Sequence, residues 1–216
     1  VRHAVLRILD APAFSFRPGQ FVQFVLDPKT LRQFSIASLP EELPEIELCV
    51  DISPMGKGSR FIDGLKPGEK VTFRGPFGVF TVPEEEERPL EFVATGTGIA
   101  PIRAMIGSAL RRENPGPPSV TLTFGSRTSA DLLYDREWRE LSREQPSFRY
   151  IPTLSQPLPD WSGFQGRVTD VLPPRAADLH SHVFFLCGNP EMVDDVRKLL
   201  GRLGVPEANV HFEKFF

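Results

Sequence analysis

The chain changes its grammar once, at Pro83-Glu84-Glu85-Glu86-Glu87-Arg88-Pro89, and that change limits the possible folds more than any other feature. Before it, apolar runs are short and broken by Pro and Gly: Arg2 to Leu9, Gln20 to Leu26, Arg32 to Ala37, Ile46 to Ile52 and Lys70 to Arg74. Separated by Arg17-Pro18-Gly19, Lys66-Pro67-Gly68 and Gly75-Pro76-Phe77-Gly78, they predict a small antiparallel Greek-key β-barrel with one short helix, Ser59 to Leu65. After it, strand-length runs precede helical patterns: Leu90 to Ala94 before Ile102 to Arg112, then Val120 to Phe124 before Asp131 to Leu141. Phe148 to Pro152 precedes a short helix near Arg167 to Leu172, Val183 to Cys187 precedes Pro190 to Leu203, and Val210 to Phe212 closes the chain. Such alternation predicts an open parallel sheet with helices on both faces. The expectation is therefore two domains, a β-barrel over 1–86 and an α/β domain over 87–216, joined by a hydrated Glu-rich linker.

Composition narrows the function classes. A net charge of -3 supplies no basic field, so nucleic acid is not an expected partner. No apolar stretch approaches the roughly 20 residues of a spanning helix, and Val1-Arg2-His3 lacks the apolar core of a signal peptide; a cytoplasmic protein without membrane association is expected. Two cysteines, Cys49 and Cys187, cannot build a disulfide framework, a Cys-rich zinc site or an iron-sulfur cluster. His3, His180, His182 and His211 lack ligand spacing, so no metal site is expected, and His180 and His182 are expected to face solvent.

Four motifs carry chemistry. Thr95-Gly96-Thr97-Gly98-Ile99-Ala100-Pro101 turns a strand into a helix, and its glycines and the first helical amides suit a phosphate. Met55-Gly56-Lys57-Gly58-Ser59-Arg60-Phe61 repeats that logic before the short helix. Arg32-Gln33-Phe34-Ser35-Ile36-Ala37-Ser38 places Arg32, Phe34, Ile36 and Ser38 on one strand face by period-two geometry. Cys187-Gly188-Asn189-Pro190 ends the most apolar strand, where open parallel sheets bind ligands. By itself Cys187 also reads as an ordinary buried strand cysteine.

Taken in order, Arg32-x-Phe34-Ser35, Gly56-x-x-Ser59, Gly75-Pro76-x-Gly78-x-Phe80, Gly96-Thr97-Gly98-x-Ala100-Pro101 and Cys187-Gly188-x-Pro190 resemble the ferredoxin-NADP reductase-like superfamily of flavin oxidoreductases. The resemblance implies a flavin-binding barrel followed by a nicotinamide nucleotide-binding domain, with the two redox rings meeting between them. It implies that Arg32 holds flavin phosphate, Phe34 lies against the isoalloxazine and Ser35 hydrogen-bonds near flavin N5. It likewise implies that Gly56, Lys57, Gly58 and Ser59 cap the flavin phosphates, that Thr95, Gly96, Thr97 and Gly98 hold the pyrophosphate of NAD(P)H, and that Cys187 and Gly188 sit beside the nicotinamide. Phe215 or Phe216 is implied as an aromatic gate over the flavin, and Glu213 as a carboxylate near it. Such a site needs two stacked rings and a polar contact at the receiving atom rather than an acid-base pair, which agrees with its Ser-rich, His-poor character.

Two departures bear on cofactor choice. Phe34 stands where many members have Tyr, losing a hydroxyl contact to the flavin. Bound FAD is the expectation from Gly56 to Ser59, with FMN or free flavin as alternatives. Ser126 and Arg127 suit the 2'-phosphate of NADPH, whereas Asp131 suits the ribose diol of NADH. Arg127 tips the expectation to NADPH. The implied activity is a reductase that takes hydride from NAD(P)H onto FAD and passes electrons to a separate redox protein such as ferredoxin. A free flavin reductase and a non-catalytic electron-transfer component of a larger complex are the alternatives.

Overall fold

A computed structural model describes residues 1–9, 14–53, 55–112, 117–174 and 179–215, which group into two compact units. Val1–Val82 with Ala100–Ser108 form the first; Pro83–Ile99 with Ala109–Phe216 form the second.

The first unit contains β1 (Arg2–Arg7), β2 (Phe21–Asp27), β3 (Thr30–Ser35), β4 (Glu45–Val50), α1 (Lys57–Gly64) and β5 (Phe73–Phe77). They make two antiparallel sheets, β1-β4 and β3-β2-β5. A bridge between Ile36 and Leu48 and the Ala37 N–H to Glu47 carbonyl bond (2.8 Å) tie the end of β3 to β4. Alternating apolar side chains from both sheets meet inside: Val22, Phe24, Ile36, Ile46 and Leu48 are fully buried. Phe24 centres an aromatic cluster, edge-on to Phe34 at 5.3 Å and Phe61 at 6.0 Å. The expected strand Lys70 to Arg74 is displaced to Phe73–Phe77, because the Gly75-Pro76 segment lies along β2 instead of turning.

The second unit begins with β6 (Leu90–Thr95), which leads into α2 (Ile99–Leu110). The helix starts earlier than its apolar period suggests, since the Gly96–Gly98 turn winds directly into it. Residues 100–108 group with the first unit, where Arg103 donates to the Ala37 carbonyl (2.9 Å). There follow β7 (Val120–Ser126), α3 (Asp135–Glu144), β8 (Phe148–Leu154), β9 (Phe164–Gln165), α4 (Val168–Val171), β10 (Val183–Gly188), α5 (Pro190–Arg202) and β11 (Val210–Lys214). The helix expected over Asp131 to Leu141 splits into a short turn at Ser129–Asp131 and α3, because Tyr134 is left-handed (φ 57°).

The six strands form one parallel sheet in the order β11-β10-β6-β7-β8-β9. The order reverses between β6 and β10, so the chain leaves these two strands toward opposite sides of the sheet, a switch point of the kind at which such sheets bind ligands. Val93, Phe184 and Leu186 pack with Val193, Val196 and Leu200 of α5 and with Val168 of α4.

Two side chains overturn the expected exposures. His182 is half-buried, and its Nδ1 lies 3.1 Å from the carboxylate of Glu91, itself fully buried in β6. A strand-embedded carboxylate needs such a polar partner, which draws the histidine inward. The Glu-rich linker is likewise not all hydrated: Glu86 accepts from Arg88 Nε (2.7 Å) and Nη2 (2.6 Å), and Arg88 Nη1 reaches Asn209 Oδ1 (2.9 Å). This fork holds the Glu86 carboxyl below the usual carboxylate range.

Candidate functional site

Two loops meet at the switch point of the sheet. Thr95 is extended and no side chain caps the Gly96–Gly98 turn, which leaves its leading N–H groups available to an anion. Gly96 adopts φ +55°, and a Cβ there would meet nothing within 4 Å, so its α-carbon faces open space. The Thr97 hydroxyl has no partner among the described residues. Gly98 does the opposite, pressing its bare α-carbon onto the Cys187 carbonyl and the Gly188 amide.

Gly188 completes the lock. At φ +140°, a Cβ on it would stand 2.5 Å from Thr95 Oγ1 and 2.7 Å from the Thr95 carbonyl oxygen. The same Thr95 Oγ1 accepts the Asn189 N–H at 3.3 Å. Asn189 Oδ1 in turn caps α5, accepting from Glu191 N (2.8 Å) and Met192 N (3.4 Å), with Pro190 as the first helical residue. Thr95 and Asn189 as joining residues were missed from the sequence, although Asn-Pro before an apolar helix is a legible cap signal.

Parallel pairing sets Cys187 beside Ala94 on one side and Glu213 on the other. Cys187 has no exposed surface, and burial first, then the Glu213 charge, pushes its thiol well above its ordinary range. The sulfur is therefore a neutral, polarisable thiol. Burial also raises Glu213 above the usual carboxylate range. Phe215 is half-buried and donates its N–H to the Gly188 carbonyl (2.9 Å), which puts it next to the Cys187 loop; Phe216 lies outside the described residues.

In the first unit, β3 and α1 come together as their motifs suggest. A Cβ on Gly58 would lie 3.3 Å from both Arg32 Cγ and Phe34 Cζ, so this glycine lets the start of α1 rest on those side chains. Gly56 precedes α1 with no side-chain cap, leaving the first amides of the helix open. Arg32 and Lys57 are exposed; Arg32 Nη1 donates to the Leu31 carbonyl (2.7 Å) and Lys57 Nζ to Thr30 Oγ1 (3.4 Å). Ser59 Oγ donates to the Asp51 carbonyl (3.0 Å), so its hydroxyl hydrogen is engaged and only its lone pairs remain free. Ser35 is buried, yet its hydroxyl has no partner among the described residues.

At the end of β7, Ser126 Oγ donates to the Asp131 carbonyl (3.2 Å). The Asp131 carboxylate takes the Thr128 N–H (3.1 Å) and hydroxyl (2.8 Å), closing the loop on itself. Arg127 is exposed and its side chain has no partner among the described residues.

These donor sets fit the implied groups. The uncapped start of α1 with Arg32 and Lys57 suits a flavin pyrophosphate, and the open Gly96 turn with Thr97 suits a second one.

Comparison with known proteins agrees. Residues 3–82 match the model of the oxidoreductase FAD-binding domain and 92–198 that of the oxidoreductase NAD-binding domain. The chain is 37% identical to ferredoxin–NADP reductase B of Sorangium cellulosum, covering 100% of this chain and 91% of that protein. It is 35% identical to one component of the Na(+)-translocating NADH-quinone reductase of Klebsiella pneumoniae, of which it spans only about half (93% and 52% coverage). The Amycolatopsis cytochrome P450 reductase superposes with a TM-score of 0.87 at 32% identity, over 99% of this chain and 64% of that one. The chain belongs to the ferredoxin–NADP reductase-like family of flavin oxidoreductases and is an FAD-dependent enzyme that uses NAD(P)H.

Proposed function

We propose that the protein reduces its FAD with NADPH and delivers the electrons to a separate iron-sulfur acceptor of the ferredoxin type, in the cytoplasm, with residues 1–86 as the FAD domain and 87–216 as the nicotinamide domain. The observation that carries this reading is the lock between Thr95-Gly98 and Cys187-Asn189 at the switch point, which joins an anion-binding turn to a strand end carrying a neutral thiol. Near full-length similarity to a ferredoxin–NADP reductase supports the acceptor class. Two cysteines cannot ligate a cluster, so the acceptor centre belongs to another domain or protein.

Bound FAD supplies the conversion of two-electron into one-electron transfer. The chain's residues bind and orient. Arg32, Lys57 and the amides of Gly56, Gly58 and Ser59 hold the flavin phosphates, while Phe34 offers a ring face or edge. Ser35 presents an unengaged hydroxyl to the flavin, able to donate or accept at the atom whose protonation changes. Gly96, Thr97 and Gly98 hold the nicotinamide nucleotide's pyrophosphate. Cys187, once uncovered, gives the nicotinamide an uncharged neighbour, Gly188 positions that strand end, Phe215 flanks it, and Glu213 keeps the surroundings of the thiol polar. Arg127 is the unengaged cation for a 2'-phosphate, whereas Ser126 must release its hydroxyl hydrogen from the Asp131 carbonyl before it can donate to that group. Asp131 is tied to its own loop through Oδ2, which leaves it Oδ1 alone for a ribose diol.

The test is the purified protein. Stoichiometric FAD that bleaches anaerobically on adding NADPH and passes electrons to an added ferredoxin supports the reading. Colourless protein that turns over only with added flavin replaces it with a free flavin reductase, and bound flavin that no nicotinamide reduces replaces it with a non-catalytic electron-transfer component.

A further inference from the structure

The outer edge of the parallel sheet carries a second constellation. β9 pairs with β8 only at Thr153 and Leu154, so the outer side of β8 along residues 149–152 has no strand partner among the described residues. Arg149 and Pro152 there blunt the edge against pairing with another chain. Edge protection alone does not require the arrangement of cations and rings that accompanies it.

A cavity of about 270 Å³ opens along this edge, with Arg139, Arg149, Tyr150 and Trp161 in its lining and no carboxylate. Arg139 Nε donates to Asp135 Oδ2 (2.7 Å), and the other oxygen of that carboxylate accepts the Tyr150 hydroxyl (3.0 Å). The Arg139 guanidinium carbon lies 6.0 Å from the Tyr150 ring centre and 5.9 Å from that of Trp161, while its terminal nitrogens have no partner among the described residues. The indole is fixed: Trp161 Nε1 donates to the Phe164 carbonyl (2.9 Å), and a Cβ on Gly163 would stand 2.5 Å from its Cζ2. Arg149 is exposed and its side chain pairs with no group among the described residues.

Charge and shape then select the ligand. Asp135 balances Arg139, so the uncompensated charge is that of Arg149, which matches a monoanion better than a phosphate dianion. Guanidinium groups grip a planar carboxylate through paired N–H donors, and Trp and Tyr faces favour a flat aromatic body. We propose that this cavity, lined by Arg139, Arg149, Tyr150 and Trp161, is a second binding site for a small aromatic carboxylate, separate from the nicotinamide loops.

Benzoate is the probe, titrated into the FAD-loaded protein by calorimetry. Saturable binding is expected, weakened about tenfold in Arg149→Ala, as loss of one charge-assisted contact implies, and weakened also in Trp161→Leu. Cyclohexanecarboxylate, with the same charge and no aromatic face, binds more weakly than benzoate. FAD reduction by NADPH is unchanged in Arg149→Ala. The proposal is overturned by absence of saturable benzoate binding, by equal affinity in Arg149→Ala, or by equal competition from inorganic phosphate, which would mark a general anion patch. Benzoate binding abolished by Arg127→Ala instead would place it at the nucleotide loop and overturn the proposal too.

Discussion

Gly98 and Cys187 touch through bare backbone: the α-carbon of the first, inside the turn that follows β6, packs on the carbonyl of the second, at the end of β10. Gly98 has no room for another atom, since the group opposing it is backbone and cannot rotate away. Gly98→Ala therefore forces the two loops apart. The expected result is destabilisation of about 1–3 kcal/mol, the usual cost of overpacking, together with a KM for NADPH raised about tenfold and FAD content unchanged. Thermal melts and steady-state kinetics check this; wild-type KM would separate the lock from nucleotide binding.

The proposed flavin site is expected to divide into holding and reacting groups. Arg32→Ala is expected to lose FAD on purification, because the residue supplies an exposed guanidinium beside the uncapped start of α1. Ser35→Ala is expected to keep FAD and reduce it about 10²-fold more slowly, the scale of a lost positioned proton-transfer or hydrogen-bonding group. Anaerobic stopped-flow absorbance reads both, and undiminished reduction in Ser35→Ala removes the hydroxyl from the mechanism.

Glu213 makes stability depend on pH. Burial raises its folded pKa above the ordinary 4.5, so the native state binds the proton more tightly than the unfolded chain. That contribution is fully present below the ordinary 4.5 and is lost as pH rises through the raised folded value. Glu213→Gln is accordingly expected to gain stability relative to wild type near neutral pH and to show no gain near pH 4. Denaturant unfolding at the two pH values measures the difference.

Glu86 has the opposite sign. The Arg88 fork lowers its pKa, so its contribution is present above the ordinary carboxylate range and lost as pH falls through the lowered folded value. Arg88→Met is expected to cost about 1 kcal/mol at neutral pH, with the difference shrinking near pH 3, as denaturant unfolding at the two values reads directly.

Thr123 Oγ1 is buried without a hydrogen-bond partner among the described residues. Thr123→Val keeps the shape and removes the unsatisfied hydroxyl, so a gain of about 1 kcal/mol in unfolding free energy is expected. Loss of stability instead would show that an internal water satisfies the hydroxyl.

Much of the molecule was legible because its signals are local. The Pro- and Gly-punctuated runs of the first unit and the strand-helix alternation of the second place nearly every strand to within two or three residues, since side-chain period and turn chemistry act within a few positions. Phe164–Gln165 escaped notice because a two-residue strand has no period to read. The shift of β5 into Phe73–Phe77 escaped because a Gly-Pro pair reads as a turn unless a partner strand occupies it.

By itself the sequence determined the two grammars, the glycine turns and the order of the motifs, all properties of residues close along the chain. Only the tertiary structure decided which distant residues meet. It set Gly98 against Cys187, joined Thr95 to Asn189, buried Glu91 with His182, closed Asp131 on its own loop and gathered Arg139, Tyr150 and Trp161 at an open sheet edge. Strand order and side-chain burial govern those pairings, and no local pattern encodes either.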